Sequence, residues 1–503
     1  MLDYIVEQTN LYIKEMPKLE RKKYGQFFTS KETAVFMAGL YDIPNNVDKL
    51  TILDAGTGSG ILSAALIERL QNNSIHTVEL TCYENDEKIL GLLQTNLAYI
   101  HEKVSFKFNY RVITENYITN QYLGLEGNLA YEDSVEKYDI VIGNPPYKKL
   151  PKEAPEAAAL PDVCYGAPNM YFLFATMALY NLKDNGEMVY IIPRSWTSGA
   201  YFKKFREYFL NNCTIEHIHL FISRSKVFKN ENVLQETMII KIKKCINHDG
   251  NIAVTSSANN SFDDVKVINV PYNIAVSGKD YYVYLITDEK ELKLLEKFRC
   301  LKDTLPSIGL KMHTGLTVDF RNRELLCDEP KEGTVPLFYA QHLKAGRVEF
   351  PINKTGEYVF TDKAGLLQPN RNYLFVKRFT SKEESRRLQC GIYLAHEFPF
   401  YELISTQNKL NFIDNKEHNI SESVVYGLYV LFNSTAYDMY YRILNGSTQV
   451  NSTEVNSIPV PTINEIEELG NELIKSNDLT EENCDKILGS FFNEQNRRSE
   501  KVS

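Results

Sequence analysis

Two consecutive prolines close a strand-like run at Tyr138-Asp139-Ile140-Val141-Ile142-Gly143-Asn144-Pro145-Pro146-Tyr147. No other stretch restricts the backbone as strongly. Each proline locks its own φ and pushes the residue before it out of the helical region, so the chain leaves the strand through a stiff, non-helical turn. Pro145 and Pro146 carry no N–H, so this turn offers carbonyl and carboxamide oxygens and almost no donors. Such a corner, followed by the ring of Tyr147, suits the gripping of a planar NH2 group. The same residues also satisfy an ordinary turn signal, so the rest of the chain has to decide between the two readings.

Upstream, Thr51-Ile52-Leu53-Asp54-Ala55-Gly56-Thr57-Gly58-Ser59-Gly60 runs into an apolar helix from Ile61 to about Leu70. Strand, glycine turn and helix start form the first unit of a doubly wound α/β sheet, where glycine lets the backbone approach a ligand. The Gly-x-Gly-x-Gly spacing differs from the dinucleotide fingerprint, and no lysine follows as in a phosphate-binding loop. The next strand, Glu79–Tyr83, ends at Glu84, an acidic group placed to hold two ribose hydroxyls. A helix from about Glu87 to Tyr99 and a strand from about Val104 to Phe108 precede Glu115-Asn116-Tyr117. The glycine turn, Glu84, Asn116 and Asn144 all fall at strand C-termini, the edge where such sheets bind ligands. A nucleoside with a charged amino-acid tail fits these groups better than a nucleotide.

Flanking segments fill in the architecture. Residues 1–23 read as an amphipathic helix with Leu2, Ile5, Val6, Leu11 and Tyr12 on one face. Gly25-Gln26-Phe27-Phe28-Thr29 follows, and Thr29 with Glu32 has the capping-box pattern of a helix running to about Leu40. The Pro- and Ala-rich stretch 148–168 reads as a mobile loop, followed by a helix at Tyr171–Leu182 and strands at Met188–Ile192, Ile215–Phe221 and Thr237–Ile242. Phe228 lies in a basic loop between the last two and is either a stacking residue or a loop anchor. These readings set a domain at 1–243, a linker or small subdomain at 244–290, and a third region at 291–503 that ends in helices.

Composition excludes several classes. With 43% apolar and 24% charged residues the chain is that of an ordinary soluble protein, and no apolar run reaches membrane-span length. Neither a secretory signal nor a Cys-x-x-Cys pair occurs, and eight isolated cysteines point to a reducing cytoplasm. His217 and His219 alternate on a strand without further metal ligands, so no metal site is expected. A net charge of −9 does not advertise nucleic-acid binding, although phosphate contacts need only a local basic face.

Together the motifs resemble the gamma-class DNA adenine-N6 methyltransferases of bacterial restriction–modification systems, in the order Gly25–Thr29, Asp54–Gly60, then Asn144–Tyr147. The resemblance implies a methyltransferase domain followed by an α+β target-recognition domain. It implies S-adenosylmethionine as cofactor, double-stranded DNA as substrate, and a separately encoded restriction endonuclease as partner. Phe28 and Thr29 would hold the methionine end of the cofactor, Asp54 with Gly56, Gly58 and Gly60 its amino-acid part, and Glu84 its ribose. The family has Asp-Phe or Asp-Tyr where this chain has Asn116-Tyr117. Here the Asn116 oxygen would address the cofactor's adenine. Asn144 and Pro145 would accept from the target amine beside Pro146, with Tyr147 and Phe228 sandwiching a flipped base. A glutamine-amide or RNA methyltransferase shares the Asn-Pro-Pro-Tyr chemistry, but such enzymes lack a long C-terminal reader. In that region Arg321, Arg323, Lys344, Arg347, Arg371, Lys377, Arg378 and Gln449 are the candidate DNA contacts.

Overall fold

The computed structural model describes residues 1–15, 17, 28–43, 47–125, 136–221, 237–380, 384–444 and 449–500. The chain divides into two units, Met1–Asp288 and Glu289–Ser503.

The first unit has strands β1 (Val47–Ala55), β2 (Ile75–Tyr83), β3 (Lys107–Ile113), β4 (Tyr138–Gly143), β5 (Leu182–Pro193), β6 (Thr214–Phe221), β7 (Thr237–Lys243), β8 (Asn251–Ser257) and β9 (Lys266–Pro271). They lie side by side in the order β3-β2-β1-β4-β5-β7-β6-β8-β9. From β3 to β5 every pairing is parallel, while β7 runs antiparallel to both of its neighbours. Its helices are α1 (Leu2–Glu15), α2 (Lys31–Gly39), α3 (Ile61–Leu70), α4 (Glu87–Lys103), α5 (Tyr117–Leu125), α6 (Pro155–Ala159), α7 (Met170–Asn181) and α8 (Lys203–Leu210). Central strands are covered on both faces, which is why Ile52, Leu53 and Ala55 are buried in succession rather than alternately. Strand order reverses between β1 and β4, so a crevice opens beyond their carboxyl ends.

Four details differ from the sequence reading. Helix α1 buries Leu2, Ile5 and Thr9 and leaves Leu11 exposed, because Thr9 takes the inward place, its Oγ1 2.8 Å from Ser59 Oγ of the glycine turn. Helix α2 is capped by Ser30, whose hydroxyl accepts from the Thr33 N–H, and not by a Thr29–Glu32 box. Strand β3 starts at Lys107 and pairs with β2 through Tyr83–Ile113. Within the stretch 244–290, β8 and β9 extend the large sheet. Interspersed polar residues, among them the buried Thr255, Ser256 and Ser257, hide the apolar row of Ile252, Val254, Ile268 and Val270.

The second unit holds a six-stranded and a five-stranded sheet of short strands, followed by helices Glu422–Phe432, Thr435–Leu444, Ile463–Ser476 and Glu481–Glu500. Among the described residues, no helix is long and apolar enough to cross a membrane. His217 and His219 bond Thr255 Oγ1 at 2.8 Å each, and burial pushes them down to about 4 and about 3. One trio of carboxylates converges among the described residues, Asp42, Glu187 and Glu216, and the Lys241 ammonium pairs with all three at 2.5, 3.2 and 3.0 Å.

Candidate active site

A cavity of about 630 Å³ occupies the crevice beyond β1 and β4. Pairing of Asp54 with Ile142 aligns the two strand ends, so the glycine turn and the Asn-Pro-Pro corner emerge side by side. Gly56, with φ at 75°, turns the chain where an L-residue would be strained, and its amide donates to the Tyr83 carbonyl at 2.8 Å. A Cβ there would stand 3.6 Å from the Phe174 ring and 3.8 Å from Pro146 Cδ. Gly58 has φ at 60°, and Phe28 is its neighbour across the cavity edge. Gly60 serves a different purpose: it starts α3 at φ 84° and does not line the cavity.

Asn144 and Pro146 line this space, and the Asn144 carboxamide is held at both ends. Its Nδ2 donates to Thr29 Oγ1 at 3.2 Å, and the Tyr147 hydroxyl donates to its Oδ1 at 2.9 Å. The single Tyr147 proton can also serve the Ile191 carbonyl, likewise 2.9 Å away. Burial raises the Tyr147 hydroxyl well above its ordinary value, so it stays a donor. Pro145 is buried, and neither it nor Tyr147 nor Thr29 lines the cavity. Thr29, read as a cofactor contact, stands just before the Ser30 cap of α2 and accepts from Asn144. Phe228 lies outside the described residues.

Glu84 and Tyr117 line the cavity as expected, while Asn116 does so with its side chain already engaged. The buried Glu84 accepts from Gly58 N–H at 2.8 Å and Asp86 N–H at 2.9 Å. Burial raises its carboxyl and these bonds oppose the rise. Tyr117 presents a ring 5.2 Å from Phe174 and bonds Asn181 through its hydroxyl at 2.8 Å. The Asn116 oxygen accepts from Ile118 and Thr119 N–H at 3.1 and 3.2 Å, capping α5, so it does not face a ligand as the sequence reading had it. Its Nδ2 donates to Glu156 at 2.8 Å. Glu156 and Phe174 also line the cavity and were missed. One sits in the stretch read as a loop, the other in an apolar helix whose pattern singles out no residue.

Asp54 is fully buried beneath the turn and does not line the cavity. Its Oδ2 accepts from the Ser63 hydroxyl at 2.6 Å, tying β1 to α3. Burial pushes its carboxyl up to about 7, the Ser63 bond pulls it down, and the Glu84 charge adds to the rise. An unfolded aspartate ionises at its ordinary 3.8, so above that pH the folded chain keeps a proton the unfolded chain has lost. The resulting stability is full in acid and falls as pH rises toward about 7, by on the order of a few kcal/mol. Asp54→Asn should flatten this slope. Urea denaturation at about pH 5 and about pH 8 checks it, and an undiminished difference between the two would exclude Asp54 as its source.

In the second unit, Lys377 lines a cleft of about 630 Å³ together with Lys354, Lys409, Gln341, Gln407 and Phe379. Lys377 itself donates to Gln389 Oε1 at 3.2 Å and pairs with Glu384 at 3.6 Å. Of the other expected DNA contacts, Lys344 pairs with Glu349 at 2.9 Å, Arg347 with Glu397 at 3.4 Å, and Arg378 donates to the Asn408 carbonyl at 2.8 Å. Arg371 donates to the Lys416 carbonyl, Arg321 stands beside Phe320, Arg323 begins a short 3-10 turn, and Gln449 accepts from Arg378.

A glycine turn and an acceptor corner meeting at the switch point of this sheet define an α/β methyltransferase fold. The family model described as Eco57I restriction-modification methylase matches residues 61–228. Type II methyltransferase M.BsuBI of Bacillus subtilis is 34% identical over 478 residues, 94% of each chain. Type II methyltransferase M.PstI of Providencia stuartii is 33% identical over 482 residues, 94% of this chain and 93% of its own. The type IIL restriction-modification enzyme MmeI, solved in complex with DNA, superposes with a TM-score of 0.56 at 13% identity, covering 97% of this chain and 74% of that one. The chain belongs to the type II restriction–modification methyltransferases.

Proposed function

We propose that this enzyme methylates N6 of an adenine flipped out of double-stranded DNA, in a restriction–modification system of the gamma class with a separately encoded nuclease. One observation carries the reading: the Asn144 carboxamide is clamped by Thr29 and Tyr147 at the wall of a nucleoside-sized cavity. S-adenosylmethionine fits that cavity's chemistry. Its volume lies in the range of small-molecule sites, Tyr117 and Phe174 supply flat apolar walls, and Gly56 and Gly58 present bare backbone. Glu84 spends one bond per oxygen on backbone amides and keeps acceptor capacity for ribose hydroxyls. When bound, the cofactor supplies a methyl group activated by a sulfonium.

The chain's own residues prepare the acceptor. An adenine amine is a poor nucleophile because its lone pair is delocalised into the ring. A carboxamide oxygen takes two hydrogen bonds, so Asn144 Oδ1 can accept a substrate N–H beside that of Tyr147. With the Pro145 carbonyl accepting the second N–H, the nitrogen is drawn toward tetrahedral geometry and its lone pair leaves the ring plane. Positive charge that develops on it during transfer meets the same two oxygens. Unstacking the target base costs about a few kcal/mol, and stacking on Tyr147 and Phe228 would return roughly 1–3 kcal/mol per ring. The second unit would supply target recognition, with Lys354, Lys377 and Lys409 meeting phosphates and the exposed Gln341 meeting base edges.

Expression in a methylation-free bacterial host followed by long-read sequencing tests the reading. N6-methyladenine should occupy one position of a single short motif at near-complete frequency. Unmodified DNA, or methylation on cytosine N4 instead, would overturn it.

A further inference from the structure

We infer that Glu156 reads the exocyclic amino group of the cofactor's adenine, a role that rests on the cofactor assignment proposed above. Sheet order sets the direction in which a nucleoside with an amino-acid tail lies. Asn144 follows β4, the glycine turn follows β1, Glu84 follows β2 and Asn116 lies three residues past β3, and these four strands are consecutive neighbours. Strands stand about 4.8 Å apart. A ligand whose ribose meets Glu84 and whose tail meets the glycine turn therefore carries its base toward the β3 end. Tyr117 there provides the ring wall with Phe174.

An adenine amine placed at that end needs an acceptor. Asn116 cannot be that acceptor in this arrangement, because both lone pairs of its oxygen are used by Ile118 and Thr119 N–H. Glu156 is half-buried, lines the cavity, and has Oε1 fixed by the Asn116 Nδ2 at 2.8 Å. A carboxylate has about four acceptor sites, so one bond from Asn116 aims it without exhausting it. The other carboxylates on this wall do not serve as well. Glu84 is taken by the ribose in this reading, Asp86 caps α4 by accepting from the Lys88 N–H at 3.1 Å, and Glu115 and Glu87 are exposed. Asn116 is then a positioning residue: one end starts α5 and the other holds Glu156.

An acceptor-only group favours adenine and disfavours hypoxanthine, which presents an oxygen where adenine has NH2. Calorimetric titration with S-adenosylhomocysteine and with its hypoxanthine counterpart tests the assignment without requiring turnover. Wild-type protein should prefer the adenine compound by roughly 100-fold. Glu156→Gln keeps an oxygen for Asn116 and adds an N–H donor. It should weaken the adenine compound by about tenfold and reduce the preference to within a few-fold, with an unchanged melting temperature. If wild-type protein binds and discriminates while Glu156→Gln matches it on both compounds, the role of Glu156 is overturned and the cofactor reading stands. If wild-type protein binds neither compound, the cofactor reading itself falls.

Discussion

Asn144→Ala should lower methyl transfer by about 10³-fold or more, while S-adenosylhomocysteine binding changes by only a few-fold. On the proposed reading, the substitution removes the oxygen that would meet the developing charge on the substrate nitrogen. It leaves the cavity's other walls intact: Gly56, Gly58, Glu84, Tyr117 and Phe174 are untouched. Tyr147→Phe separates the clamp from the corner itself. It deletes the hydroxyl that fixes Asn144 Oδ1 and keeps the ring, so the loss in transfer should be nearer tenfold. Single-turnover rates on duplex DNA and calorimetric titration of the cofactor product measure the two quantities independently. Retained transfer in Asn144→Ala would remove that residue from the chemistry. Equal losses in rate and binding would reassign it to holding the cofactor.

The sequence made this corner legible because its constraints are covalent. Prolines restrict φ without reference to any neighbour, and the glycine turn advertises positive φ values that later proved to be 75°, 60° and 84° at Gly56, Gly58 and Gly60. The alternation of strands and helices is enough to put Asn144, Glu84 and Asn116 on one sheet edge. What escaped depends on partners distant in sequence. Asp54 looked like a ligand contact, yet Ser63 and the closing of α3 over β1 put it under the turn. Asn116 had the right position and the wrong orientation, since a helix start immediately after it offered two N–H donors. Glu156 had no local signature at all and becomes visible only through Asn116, 40 residues earlier. Strands β8 and β9 were hidden because β8 carries Thr255, Ser256 and Ser257, polar residues buried between β6 and β9, and β9 is a largely exposed edge, a composition that reads as linker.

Gly427→Ala should destabilise the second unit by roughly 3 kcal/mol or more and abolish sequence-specific DNA binding. Helices Glu422–Phe432 and Ile463–Ser476 cross with backbone against backbone. A Cβ at Gly427 would stand 1.9 Å from the Ile466 carbonyl oxygen, and one at Gly470 would stand 1.8 Å from that of Ser423. Neither obstacle is a flexible side chain that could turn away. Accommodating a methyl group means separating the two helices, which breaks the packing of Val424, Leu428 and Leu431 along the first and of Ile466, Leu469 and Leu473 along the second. Gly489→Ala is the matching control. It lies within helix Glu481–Glu500 with nothing within 4 Å of an added Cβ, so it should be neutral or raise stability by about 0.5–1 kcal/mol. Every residue lining the cavity beyond β1 and β4 belongs to the first unit, so on the proposed reading Gly427→Ala should keep its affinity for S-adenosylhomocysteine. Melting curves, DNA binding to target and scrambled duplexes, and cofactor titration separate these expectations. Loss of cofactor affinity together with DNA binding would show that the two units do not divide the work in this way, and unimpaired target recognition would show that the reader lies outside the crossing's influence.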